Sequence, residues 1–380
     1  MTSRGKVRLI FIDLLRGWAT LVMIEVHVFN AFIVPAIKET AWFSVLNFIN
    51  GLVAPSFLFV AGFVFVIASQ RKLEDFRTFG SAFWRQLGRI GLIWVIGYAL
   101  HLPTFSLTRT LQETTASGWL QFCQSDILHC IGAGLMVVFL GRIFIKRDRV
   151  YEMFLLAVAV LAVLVAPLIW DINFLTQIPA PMAAYLNGQH YSLFPLFPWL
   201  GFLAFGALTA TAYSRSRAVE QEARFLKRTT VVATTLILAG AILFGLPIPI
   251  PGYSTDIQPN PLFFAMRLGI VLTLMLACWF YADRRKTERS FVLDVSRESL
   301  LVYAAHLVVI YGKYWNGRGL ADWYGGTLGV LQCILATLGL VLVMILFSRF
   351  WGKLKRDRPT YARAAFIAFC LGFVALFAIL

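Results

Sequence analysis

The chain has 380 residues, 59% of them hydrophobic and only 14% charged, with a formal net charge of +15. Soluble domains carry about 25% charged residues, and a mean hydropathy of +0.76 excludes that class. The basic residues fall in short clusters between apolar runs, which argues against a nucleic-acid surface and for a membrane protein sorted by the positive-inside rule.

Eleven apolar runs near the ~20 residues that cross hydrocarbon predict an all-α polytopic membrane protein. In chain order they cover about 9–33, 43–69, 83–103, 124–145, 150–170, 193–213, 229–248, 261–282, 298–314, 326–350 and 360–380. Arg4, Lys6 and Arg8 precede the first span, which carries Asp13, Arg16, Glu25 and His27. That span is long, bears Arg16 and lacks a small-residue cleavage site, so it reads as a retained helix and not a signal peptide. Arg71, Lys72, Arg77, Arg85 and Arg89 surround the second turn, and His101 closes the third span as an ordinary polar surface residue. The fourth span begins SDILHCIG, with Asp126 and His129 three residues apart.

The sixth span is entered through HYSLFPLFPWLGFLAFG, where Pro195 and Pro198 suit a first helical turn and Trp199 suits an interfacial aromatic belt. His190, in the loop before it, reads as surface. Arg267, about six residues into the eighth span, is placed to snorkel to the interface. The ninth span opens SRESLLVYAAHL. There Ser296 reads as an N-cap, Glu298 complements the helix dipole, Arg297 is able to grip a phosphate, and His306 reads as structural or substrate-lining. The intervening segments 104–123, 171–192 and 248–261 are lids or connectors.

Twenty-eight Lys and Arg residues lie in six clusters on one side, against Lys38, Arg109, Lys313 and Arg318 on the other. The N-terminus is therefore placed in the cytoplasm and the C-terminus on the opposite side. Five cysteines (123, 130, 278, 333 and 370) show no metal or redox spacing, and no disulfide framework is expected. No P-loop, HExxH or GxSxG motif appears, and no metal is expected.

An arginine and a histidine inside one span are costly to keep. At about 100° per residue, Asp13, Arg16, Thr20 and His27 fall within a sector of about 60°, one stripe along one face. Glu25 points elsewhere. Arg16 then lies near the cytoplasmic end and His27 about 16 Å further along. Such a stripe either fixes helix packing or lines a reaction path. Asp126 and His129 share a helix face, and a carboxylate accepting from one imidazole nitrogen would make the other a general base. A local packing hydrogen bond is the plainer reading of the same pair.

RLIFIDLLRGWATLVMIEVH resembles the opening of the integral-membrane acyltransferases, with their Arg-x10-His signature after an acidic residue. The segments APSFLFVAGFVF, DILHCIGAGLM, FPLFPWLGFLAFGAL and SLLVYAAHL resemble, in the same order, the bacterial branch related to heparan-alpha-glucosaminide N-acetyltransferase and the acyltransferase 3 family. The resemblance implies one transmembrane acyltransferase domain over 1–380, with a family-like core about 8–312 and added helices at 326–380. It implies acyl transfer, usually of acetyl, from cytoplasmic acetyl-CoA to an amine or hydroxyl of an extracytoplasmic sugar or glycan, in a bacterial inner membrane. His27 is then general base or transient acyl carrier, with Asp126 and His129 as further catalytic candidates. Asp13, Arg16, Arg297 and His306 are the candidates for holding the coenzyme. Membrane lipids and a glycan acceptor are the expected partners, nucleic acid is not, and a homodimer is left open. The alternative is a proton-coupled transporter using Asp13, Arg16, His27, Asp126 and His129 as a relay, which the lack of evident inverted repeats disfavours.

Overall fold

The computed structural model describes residues 9–246, 254, 256–285, 290–312 and 318–380. These residues are helical, without an extended strand; Ile33 and Leu328 form an isolated parallel bridge. The main helices are α1 (Ile10–Phe32), α2 (Ala41–Asn50), α3 (Val53–Ser69), α4 (Ser81–Leu100), α5 (Ile127–Phe144) and α6 (Asp148–Ile169). They continue with α7 (Leu196–Ala218), α8 (Glu222–Phe244), α9 (Pro261–Arg285), α10 (Phe291–Arg297), α11 (Ser299–Tyr311), α12 (Val330–Asp357) and α13 (Pro359–Ile379).

Each predicted span meets helix, with two departures. The second span is two helices, because the chain breaks at Gly51 and Leu52 between α2 and α3. The ninth is preceded by the short α10, capped by Ser290, whose hydroxyl accepts from the Leu293 amide at 3.2 Å. Ser296 is therefore inside a helix and not an N-cap. Among the described residues, eight helical segments are long and apolar enough to cross a membrane: Ala41–Arg77, α5 to α9, α12 and α13. The other predicted spans correspond to α1, α4 and α11. The first two are diluted by Asp13, Arg16, Glu25, Arg85 and Arg89, and α11 has only 13 residues.

The chain divides into two compact units. One comprises Met1–Val53, Leu102–Thr115 and Ala277–Leu380. Its core gathers Leu14, Ile24, Val28 and Phe29 of α1 with Val292 and Val295 of α10, Val302 and Ile310 of α11 and Met344 of α12. The approach of α1 to α10 is close because position 17 is glycine: a Cβ there would stand 2.3 Å from the Val292 carbonyl oxygen. Most of α13 is exposed and apolar, a surface suited to hydrocarbon.

The other unit comprises Ala54–His101 and Ala116–Leu276. Two glycines let α3 and α7 cross almost in backbone contact. A Cβ on Gly206 would lie 2.0 Å from the Phe59 carbonyl oxygen, and one on Gly62 would overlap the Leu203 carbonyl outright. Small residues at a helix crossing are the usual route to tight packing where water supplies no driving force. Phe59, Phe63, Phe139 and Phe202 belong to the core of this unit, with no exposure above 1%. The loop entering α7 is tied to the start of α5, since the Ser125 hydroxyl donates to the Phe194 carbonyl at 2.8 Å and its amide to Ser192 Oγ at 3.1 Å. Segment 171–192 is pinned by Asn187, whose amide donates to the carbonyls of Ile169 and Ile172 at 2.8 and 2.7 Å. Half of segment 248–261, the third candidate lid, lies outside the described residues.

Candidate active site

In the first unit the polar stripe of α1 divides into two groups of contacts. Toward the start of the helix, Arg16 Nη2 donates to Asp13 Oδ1 at 2.8 Å and Nε donates to the Ser296 hydroxyl at 3.0 Å. The guanidinium is thus fixed by its own helix and by α10. Thr20 is fully buried and its hydroxyl donates to the Arg16 carbonyl at 2.8 Å, so it belongs to the helix backbone and not to a path. Around this end, Lys355 reaches both oxygens of the buried Glu298 at 2.8 and 2.9 Å. Asp294 accepts from Arg349 at 3.0 Å and lies 3.5 Å from Arg297. Arg297 therefore already shares a carboxylate.

Further along α1, His27 meets α11. Its ring centre is 5.2 Å from that of His306 and 5.9 Å from that of Tyr311, whose hydroxyl donates to the His27 carbonyl at 3.4 Å. His306 is fully buried, with Nδ1 2.8 Å from the Val302 carbonyl oxygen. A carbonyl only accepts, so Nδ1 carries the proton and Nε2 presents a lone pair. That Nε2 is buried without a hydrogen-bond partner among the described residues. The two rings are neighbours, with no hydrogen bond between them. Glu25 points to another side, where Asn50 donates to it at 3.4 Å.

The second unit holds Asp126 and His129. The sequence predicts an imidazole donating to the carboxylate, and the contact found runs through the main chain: the Asp126 amide donates to His129 Nδ1 at 3.3 Å. Asp126 is the N-cap residue of α5, where a carboxylate complements the dipole. The His129 ring is fully buried against Gly97, at which a Cβ would meet its Cε1 at 2.9 Å, and it lies 4.3 Å from the Tyr98 ring centre. His101 is more than surface. Its Nδ1 donates to the Gly97 carbonyl at 2.8 Å, and its Nε2 lies 4.0 Å from the Asp126 carboxylate. Tyr185, in the loop before α7, is pushed well above the usual tyrosine value by burial and then by the neighbouring Tyr98 phenol. Trp199 also departs from its expected place: it is 5% exposed, packed on Phe194 and Phe202, and not part of an interfacial belt.

Sequence reasoning brings Asp13 to Arg16 and Asp126 to His129, because each pair is local. It misses Ser296 as the partner of Arg16, Tyr311 beside His27 and His101 beside Asp126, since each is a contact between helices.

A helical membrane protein with a partly buried arginine–carboxylate pair and, on the same helix, a histidine against a second histidine has the makings of a membrane-embedded transferase. The family model described as heparan-alpha-glucosaminide N-acetyltransferase, catalytic, matches residues 8–244. The chain belongs to that family of transmembrane acetyltransferases, and is a membrane-embedded acyltransferase. The family's acetyl donor is acetyl-CoA. No curated protein matches the chain. The matched stretch includes Asp13, Arg16, His27, Asp126 and His129 and ends before His306.

Proposed function

We propose that the chain transfers an acetyl group from cytoplasmic acetyl-CoA to an amine or hydroxyl of a sugar or glycan on the opposite side of the membrane, with His27 at the centre of the reaction. The observation that carries this reading is the His27–His306 pair. With its Nδ1–H committed to Val302, His306 presents only a lone pair to the neighbouring His27 ring, which favours the His27 tautomer whose N–H is on the His306 side. The second nitrogen of His27 then keeps its lone pair, which is the form a base or nucleophile needs. His306 acts as a positioning residue, setting the tautomer of His27.

In direct transfer, His27 takes the proton of the acceptor nucleophile as its lone pair attacks the thioester carbonyl. The tetrahedral intermediate collapses, the C–S bond breaks, and the coenzyme thiolate leaves with that proton. In the relay form, His27 attacks the thioester carbonyl, the C–S bond breaks and the coenzyme leaves as thiol with the proton from the other imidazole nitrogen; the acceptor then attacks the acyl-imidazole, the C–N bond breaks and the acceptor's proton returns to the imidazole. Arg16, held by Asp13 and Ser296, is fixed on the donor side of the stripe, with Arg297, Arg349 and Lys355 adding positive charge for a polyanionic coenzyme. This assumes the orientation that the basic clusters support, with the N-terminus cytoplasmic. A bacterial inner membrane is the proposed location. Asp126 and His129 are assigned to shaping the start of α5, because the His129 ring is enclosed.

The test is acetyl transfer by purified protein with His27→Ala, together with a binding measurement for acetyl-CoA. Loss of transfer with binding retained supports the assignment; wild-type turnover overturns it. Rapid quench with labelled acetyl-CoA in the absence of acceptor separates the routes, since only the relay leaves label on the protein. Substrate-driven proton flux in liposomes, without response to acetyl-CoA, would return the chain to the transporter class.

A further inference from the structure

Arg267 is anomalous among the partly buried arginines. Arg16 and Arg142 each meet a carboxylate at 2.8 Å, Asp13 and Asp148 respectively. Arg267, about 9 Å along α9 from Pro261, makes no hydrogen bond or ion pair among the described residues. Its guanidinium carbon lies 4.3 Å from the Phe263 ring centre and 5.8 Å from that of Trp199, and its Nε is buried without an acceptor. Nor does the adjoining loop form an ion pair with it among the described residues. Between Leu246 and Asn260 the sequence holds one carboxylate, Asp256, and that accepts the Trp170 indole N–H at 2.7 Å.

Trp199 repeats the pattern. It is only 5% exposed, and its Nε1–H has no acceptor among the described residues. The neighbourhood therefore holds a desolvated cation and a buried N–H donor, both unanswered among the described residues. A charge left so is costly unless something supplies the opposite one. Aromatic contact covers the face of the guanidinium and leaves its in-plane N–H fork for acceptor oxygens. Both residues lie within the first two turns of their helices, where the dipole also favours an anion.

We propose that Arg267 and Trp199 form a binding site for a phosphate-type oxyanion, distinct from the acetyl-transfer site and independent of it. The planar fork of Arg267 receives two phosphate oxygens, and Phe263 holds the fork in plane. Such a group comes either from a membrane phospholipid headgroup or from a phosphate-bearing molecule that approaches through water.

The experiment uses the full-length protein, purified in detergent, with two probes: phosphatidylglycerol, followed by native mass spectrometry, and inorganic phosphate, followed by thermal shift. Wild type is expected to retain phosphatidylglycerol over phosphatidylcholine. Arg267→Gln is expected to weaken that retention at least about tenfold, and Arg267→Lys, which keeps charge but loses the fork, by less. Trp199→Phe keeps the ring, loses the N–H and should weaken it a few-fold. Retention of the lipid without a response to phosphate assigns the site to a headgroup; an Arg267-dependent response to phosphate, competing with the lipid, assigns it to phosphate-bearing ligands more broadly. Wild-type behaviour of both Arg267 variants toward both probes, or no selective response by wild type to either, overturns the proposal. Should Arg267→Gln fail to fold, the ratio between wild type and Arg267→Lys decides.

Discussion

Gly17→Ala is the sharpest test of the donor end of the site, because its effect follows from one distance. The new Cβ would stand 2.3 Å from the Val292 carbonyl oxygen and 2.6 Å from Val292 Cγ1. The methyl of Val292 can rotate, but the carbonyl is main chain and cannot. Ordinary contact needs 3.4 Å or more, so α1 and α10 must part by about 1 Å. Overpacking of this kind costs about 1–3 kcal/mol. Arg16 is the next residue, and its 3.0 Å bond to Ser296 crosses the same gap. A shift of about 1 Å carries that bond out of range, and displacement of this size at a reacting constellation costs up to about 10²-fold in rate. Gly88→Ala is the control, since a Cβ there meets nothing within 4 Å; it should be neutral or stabilising by up to about 1 kcal/mol. The assay is thermal unfolding in detergent alongside acetyl transfer. A Gly17→Ala protein that melts and turns over like wild type would refute the reasoning.

The same logic applies to the second unit. Gly206→Ala drives a methyl into the Phe59 carbonyl and should destabilise by about 1–3 kcal/mol, with Gly62→Ala adding less than its own cost because the two share one crossing; full additivity in thermal unfolding would count against a common contact. Lys355→Met leaves the Glu298 carboxylate, 8% exposed, without its cation. A loss of about 1–2 kcal/mol is expected, below the fully buried figure because Lys355 is about half exposed, and Glu298→Gln on top should restore much of it; an unchanged melting temperature in Lys355→Met would show that the pair is idle. Asp126→Asn keeps a good N-cap residue and removes the charge. Most of the acetyl transfer should survive, and a loss of two or more orders of magnitude would reinstate Asp126 as a reacting carboxylate.

The helical class was fully legible in the sequence because hydrocarbon length and charge clustering are one-dimensional signals. So was the pairing of Asp13 with Arg16, three residues apart on one helix. Ser296 shows where that legibility ends. Its position before an apolar run looks like a cap, yet Ser290 caps α10 and leaves the Ser296 hydroxyl free to meet Arg16 across 280 residues of sequence. Asp126 and His129 show a subtler limit. Spacing predicts that they touch, but not that the histidine nitrogen is taken by an amide. Trp199 reads as interfacial from its position near a helix end, whereas its burial depends on Phe202 and on Phe194 in the preceding loop.

Where hydropathy falls short of a membrane span, the chemistry is concentrated. The three predicted spans outside the long apolar set are α1, α4 and α11, and they carry or adjoin Arg16, His27, His101 and His306. This follows from physics: a polar side chain that must sit at membrane depth dilutes the apolar run that would announce the helix, and it is kept only if neighbouring helices satisfy it. Arg16 is so satisfied by Asp13 and Ser296. His306 is satisfied at one nitrogen only, by Val302, and the open nitrogen beside His27 is the feature that packing alone leaves unexplained. A helix retained only for packing would gain by replacing His306 with leucine, which buries the same face without an orphan acceptor. The His306→Leu protein should therefore be at least as stable as wild type while losing acetyl transfer. A variant that loses stability and keeps turnover would make the histidine a packing residue after all.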